Sequence, residues 1–80
     1  MKVEVLLPQW GMGMSEGTVV EWKKGVGDRV AEGDIIADIE AEKATQEREA
    51  PATGVITEIR VKVNEEAKVR SVLAMIETGE

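Results

Sequence analysis

Two segments of equal length, GTVVEWKKGVGDRVAEGDIIADIE from Gly17 to Glu40 and GVITEIRVKVNEEAKVRSVLAMIE from Gly54 to Glu77, lie over one another without a gap. Gly17 falls on Gly54, Val19 on Ile56, Glu21 on Glu58, Trp22 on Ile59, Val26 on Val63, Ala37 on Ala74, Ile39 on Ile76 and Glu40 on Glu77. Apolar positions meet apolar positions almost throughout, so whatever one half folds into, the other must match. Taken alone, Val69, Val72, Leu73 and Ile76 have the spacing of a helical stripe, and residues 31 to 50 are rich in helix formers. Against a helix, Ile35, Ala37 and Ile39 alternate with Asp38 and Glu40, and the repeat sets them on Val72, Ala74 and Ile76. Turns at Gly25–Asp28 and Glu32–Asp34 cut the first half into strand-length pieces. Val3, Val5 and Leu7 form one more alternating run, which Pro8 stops. The chain therefore reads as short strands.

Each half is too small to bury its own apolar face. The expected solution is a two-fold pseudo-symmetric sandwich or flattened barrel in which each half covers the other and few edges stay exposed. Eighty residues make one domain, taken as residues 1–80. A chain of this size buries only about 60–65 % of the surface its unfolded form exposes. With no Phe and no Tyr, the core has to come from Val, Ile, Leu, Met and Ala, with Trp22 and Trp10 as the large side chains. Setting Pro8 on Pro51 extends the repeat backward and leaves Gln9 to Glu16 facing only Ala52 and Thr53. This glycine-bearing loop breaks the symmetry, which makes it a candidate for recognition. Its Gly11-Met12-Gly13 start lacks the third glycine of a dinucleotide fingerprint, since Glu16 stands there.

Ten basic residues against 16 acidic ones give a net charge of −6, with the basic residues scattered, which argues against nucleic acid. No apolar run approaches the roughly 20 residues of a membrane span. The start resembles neither a signal peptide nor a lipidation site, so an intracellular location is expected. Without cysteine there is no disulfide, thiolate nucleophile or sulfur-ligated metal. Without histidine the chain lacks the usual proton-transfer side chain and the commonest metal ligand. Catalysis by a carboxylate or lysine would need a buried, strongly shifted group. The chain is thus expected not to be an enzyme by itself.

The run IEAEKATQE, Ile39 to Glu47, then draws notice to Lys43. It follows an alternating strand and precedes the polar stretch Thr45–Glu49, which sets it near the tip of a hairpin. A lone lysine at a turn is most often a solubilising residue.

From Val3 to Ile76 the chain resembles a lipoyl domain, the swinging-arm carrier of the acyltransferase components of 2-oxo acid dehydrogenase complexes. The residues that carry the resemblance are MSEGTVVEW (Met14–Trp22), GDRVAEGDIIADIE (Gly27–Glu40), EKAT (Glu42–Thr45), EAP (Glu49–Pro51) and Gly54, in that order and spacing. The resemblance implies an all-β fold, a flattened β-barrel or barrel-sandwich hybrid of two four-stranded antiparallel sheets with pseudo two-fold symmetry. It implies that lipoic acid is attached covalently to Lys43, with Glu40, Glu42 and Ala44 recognised around the turn. Glu42 stands where the family most often has aspartate. The arm would end in a strained cyclic disulfide. It would accept an acyl group from a thiamin-dependent 2-oxo acid or acetoin decarboxylase, deliver it to coenzyme A in the acyltransferase, and be reoxidised by a dihydrolipoyl dehydrogenase. A lipoate ligase or lipoyl transferase would install it, in the cytoplasm of a prokaryote or the mitochondrial matrix of a eukaryote. The isolated domain would be a monomer.

By the same resemblance, Trp10, Gly11, Met12, Gly13 and Met14 form a loop beside the lipoyl turn that serves partner recognition. Trp10 is open between an exposed contact and core, while Trp22 is expected in the core. Biotin carriers share the fold but set the lysine between methionines, which Glu42 and Ala44 do not match. An unmodified binding or scaffolding module is the alternative from another class. Two departures from the family stand out. Gln46 and Arg48 occupy usually apolar positions, making a solvated edge or a partner contact. Asn64 and Arg70 replace the glycines seen at Gly27 and Gly33, and a strained Arg70 should make its turn differ in detail.

Overall fold

A computed structural model of the chain describes residues 1–41 and 44–79. The strands are β1 (Lys2–Leu6), β2 (Glu16–Trp22), β3 (Arg29–Val30), β4 (Ile35–Ala41), β5 (Ala44–Glu49), β6 (Gly54–Ile59), β7 (Glu66–Lys68) and β8 (Val72–Glu77), and no described residue is helical. Two four-stranded antiparallel sheets result, one in the order β1-β8-β6-β3 and the other β5-β4-β2-β7. Exchanging each strand for its counterpart in the repeat, β1 for β5, β2 for β6, β3 for β7 and β4 for β8, converts one order into the other. The fold is the expected flattened sandwich of pseudo-symmetric halves, and each sheet draws strands from both.

Hydrogen bonds outside the sheets repeat the same symmetry. The Gly27 amide donates to the Ile56 carbonyl and the Asn64 amide to the Val19 carbonyl, each at 2.7 Å. In return the amides of Ile56 and Val19 donate to the carbonyls of Asp28 and Glu65, each at 3.0 Å. Likewise Leu7 donates to Ser71 and Ala50 to Asp34. Most of these bonds cross between the halves, so the turns of one half satisfy the backbone of the other, as buried amides and carbonyls require.

The core is aliphatic. Val5, Leu7, Val19, Ile36, Ile39, Ile56, Leu73 and Ile76 are fully buried, and no polar side chain among the described residues is. Trp22 is half-buried against this core, its indole N–H donating to the Val61 carbonyl at 2.8 Å. That is less complete burial than expected, because the polar end of the ring has to reach a partner.

Strict alternation also fails at equivalent places in β4 and β8. Ile36 and Leu73 are buried beside Ala37 and Ala74, while Ile35 and Val72 are only half-buried. The pairing of β4 with β5 shifts between Ile35 and Ala37, and that of β1 with β8 between Val5 and Leu6. Each shift is a bulge that turns two consecutive residues toward the core. Conversely, the apolar pair Val26 and Val63 lies on the surface, in turns rather than strands.

The turn at Arg70 does not differ as expected. Asn64 and Arg70 adopt φ of 72° and 74°, close in kind to the 94° of Gly27 and Gly33. The Ser71 amide donates to Lys68 at 3.0 Å and the Arg70 amide to Leu7 at 2.8 Å, matching Asp34 to Ala31 at 2.9 Å and Gly33 to Ala50 at 3.0 Å. The cross-half hydrogen bonds hold Arg70 in the left-handed region despite its Cβ, at a cost of about 1 kcal/mol. Arg70→Gly is therefore expected to stabilise the protein by up to about 1 kcal/mol, seen in urea as a higher midpoint with unchanged slope.

Candidate functional site

Lys43 and Glu42 lie outside the described residues. What is described is their frame. In the β4–β5 hairpin, Glu40 pairs with Thr45 and Ala41 with Ala44, so only Glu42 and Lys43 intervene between the paired strands. Ala41 is buried at the end of β4, whereas Glu40 and Ala44 are exposed. Neighbouring strands end at the same place. Thr18 of β2 pairs with Glu40 on one side and Glu66 of β7 on the other, and Glu16 pairs with Lys68. The start of β2, the end of β4, the start of β5 and the end of β7 thus share one end of the sheet.

The loop from Pro8 to Ser15 enters β2 at that same end. Within it Met14 belongs to the core, at 5 % exposure, while Gly11 and Gly13 are exposed and Met12 is almost wholly so, at 98 %. The Met14 amide donates back to the Gly11 carbonyl at 3.2 Å, and Ser15 accepts from the Val69 amide at 3.0 Å. Buried Met14 anchors the loop, and Gly13, at φ 86°, permits the turn that carries Met12 outward. Trp10 is 37 % exposed, on the surface side of the alternatives set out for it.

Acidic side chains dominate this end. Glu40 and Glu66 stand in one row across Thr18, and Glu16 in the next. The Glu16 carboxylate favours a protonated Glu66, from which it can accept a hydrogen bond, and repels the ionised form, and both effects raise the Glu66 pKa above the ordinary carboxylate value. Lys68 opposite Glu16 is the nearby counter-charge. Among the described residues, no three His, Cys, Asp or Glu side chains are grouped to hold a metal ion.

Polar β5 is one of the two edge strands of its sheet, which accounts for its solvated faces. Arg48 does more than face solvent. Its guanidinium donates through Nε to the Leu6 carbonyl at 2.8 Å and through Nη1 to the Glu49 carbonyl. These two carbonyls are equivalent in the repeat, so one side chain bridges the ends of β1 and β5. Desolvation lowers the Arg48 pKa, against the opposing pull of Glu49. The sequence alone did not bring Glu66, Lys68 and Arg70 to this end. β7 is too short to show a period, and only its correspondence with β3 in the repeat signalled it.

The family model described as "Biotin-requiring enzyme", for biotin and lipoyl attachment, matches residues 3–76. The dihydrolipoyllysine-residue acetyltransferase component of the acetoin cleaving system of Bacillus subtilis is 47 % identical over 66 residues, covering 82 % of this chain and 17 % of that protein. The pyruvate dehydrogenase E1 component subunit beta of Rhizobium meliloti is 42 % identical over 77 residues, covering 95 % of this chain and 17 % of that protein. The chain therefore spans less than a fifth of the length of these relatives. Among solved structures, the lipoyl domain of the 2-oxoglutarate dehydrogenase complex of Azotobacter vinelandii superposes with a TM-score of 0.79 at 29 % identity, covering 98 % of this chain and 99 % of that one.

Two outcomes follow from the charges at this end. A raised carboxylate pKa contributes stability that is present at low pH and lost as pH rises through it. Glu66→Gln, which cannot ionise, is expected to be more stable than wild type at neutral pH and to lose that advantage on acidification, as thermal unfolding at constant ionic strength would show. Arg48→Ala frees two carbonyls and is expected to cost about 1 kcal/mol in chemical denaturation.

Proposed function

The chain is a member of the biotin- and lipoyl-attachment family, and from that premise we propose that it is a lipoyl carrier whose Lys43 amine bears lipoic acid in amide linkage. The observation that carries the assignment to Lys43 is the pairing of Ala41 with Ala44, which leaves Glu42 and Lys43 as the whole connection of a hairpin held in continuous register from Ala37–Arg48 to this pair. The paired residues on either side give this two-residue connection a fixed base, as a pivot requires. Exposed Glu40 and Ala44 leave the approach open to a modifying enzyme. Methionines do not flank Lys43, which favours lipoate over biotin.

When bound, the lipoyl group supplies a disulfide able to accept electrons and an acyl group together. The protein supplies the pivot and the tether. A rigid hairpin base confines the arm to one end of the sheet, and tethering raises its concentration at a partner's active site to about the millimolar range. The partners proposed are a thiamin-dependent 2-oxo acid or acetoin decarboxylase, an acyltransferase and a dihydrolipoyl dehydrogenase. The names of the relatives support pyruvate or acetoin as the source of the acyl group. Trp10 to Gly13 is proposed to meet the decarboxylase, because this loop leaves the scaffold beside the hairpin.

Intact mass and tryptic mapping after co-expression with a lipoate ligase and lipoic acid test the assignment. A lipoyl increment confined to Lys43 is expected, and Lys43→Ala should remove it with stability unchanged within about 0.5 kcal/mol. A biotin increment, or an unmodified Lys43 beside a labelled control domain, would replace the reading with a biotin carrier or a scaffold.

A further inference from the structure

Within β2, Gly17 is buried at the register position next to Thr18, which pairs with Glu40, and so faces the end of β4. A Cβ added to Gly17 would stand 2.9 Å from Cγ2 of Ile39, 3.4 Å from the Glu40 carbonyl oxygen and 3.6 Å from Cδ2 of Leu7. Ile39 and Leu7 are both fully buried. The Ile39 γ2 methyl hangs directly from Cβ, so it moves only if χ1 changes within a packed core or if the strand itself shifts. A methyl at position 17 thus acts on Ile39 to Ala41, the last described residues before the Glu42–Lys43 connection.

The other half contains the same contact with a different outcome. A Cβ on Gly54 would lie 2.9 Å from Cγ2 of Ile76 and would collide with the Glu77 carbonyl oxygen. Yet the β8–β1 pair beside Gly54, counterpart of the β4–β5 pair beside Gly17, contains no lysine-bearing hairpin. The two glycines therefore share a packing role, and only one of them can influence the modification site.

We infer that Gly17 is a positioning residue for Lys43: the missing side chain lets the end of β4 settle against β2, which sets where the Glu42–Lys43 connection begins. This rests on the carrier reading, because a position matters only if an enzyme must recognise it. Neither the charge nor the chemistry of Lys43 is altered; what changes is the frame it is presented from. A small displacement of a reacting group is enough to slow an enzyme that must align it.

The test compares lipoylation of the apo-protein by a lipoate ligase, counting only folded molecules, in wild type, Gly17→Ala, Gly54→Ala and the double variant Gly17→Ala/Ile39→Leu. Leucine keeps the volume of isoleucine but has no methyl branch at Cβ, so it opens the space the new methyl needs. Gly17→Ala is expected to lower kcat/KM for modification by about tenfold or more. Gly54→Ala should stay within about twofold of wild type although it destabilises the fold more, and Ile39→Leu should restore most of the loss. If Gly54→Ala does not fold, Ile56→Ala serves as the destabilised control in the other half. Wild-type rates for Gly17→Ala, equal losses in both halves, or no rescue by Ile39→Leu would overturn the inference. Should wild type itself take no lipoyl group, the carrier reading fails separately. Backbone amide chemical shifts of Glu40 to Thr45 then decide: a change in Gly17→Ala but not in the control upholds the positioning role, and unchanged shifts overturn it.

Discussion

An aliphatic core shared between two halves, neither of which can close it alone, is the constraint on which the rest of the structure depends. Val19, Ile36 and Ile39 come from one half and Ile56, Leu73 and Ile76 from the other, all fully buried. A chain of 80 residues has no surplus of such side chains. The halves therefore exchange strands: β7 completes the sheet of β2 and β4, and β3 the sheet of β6 and β8. Reciprocal hydrogen bonds from the turns, Asn64 to Val19 and Gly27 to Ile56, seal the two open corners. The same need explains Arg70, held in a conformation its side chain disfavours because its amide serves Leu7 across the interface.

Function enters where the symmetry is broken. The pairs β4–β5 and β8–β1 are equivalent in the fold, yet only the first is continuous in the chain, through Glu42 and Lys43. Likewise the turn at Ala52 and Thr53 corresponds to the longer loop before β2, which Met14 anchors and from which Met12 projects. Both asymmetric features emerge at one end of one sheet, among Glu16, Glu40 and Glu66. Such an arrangement suits the proposed carrier: the frame would limit where the arm is rooted, and the adjoining loop and charges would limit what approaches it.

The strands, their correspondence and the turns at Gly25–Asp28 and Glu32–Asp34 were legible because each leaves a local mark, in alternation or in turn residues. The bulges at Ile36 and Leu73 were not, since a bulge is a relation between two strands and leaves the period of either one merely irregular. Val26 and Val63, which the repeat pairs, both lie on the surface, since symmetry guarantees equal environments and not burial. Arg48 looked like a solvated residue or a partner contact, and its bond to Leu6 joins positions far apart in the chain. At the site, EKAT and its surroundings pointed to Lys43 from local residues alone, and what the structure adds is the paired frame of Ala41 and Ala44 on either side. The gathering of Glu66, Lys68 and Glu16 beside Glu40 depended on β7 crossing from the other half.

The sequence by itself determined that the chain would be a doubled set of short strands around an aliphatic core, with Lys43 in the connection that follows one of them, because periodicity, repeat and turn chemistry are properties of neighbours along the chain. Only the tertiary structure decided which strands share a sheet, which consecutive residues turn inward, and which charges and which glycine stand beside the end of β4. Those outcomes follow from hydrogen-bond register and close packing between distant segments, and neither quantity exists until the two halves meet.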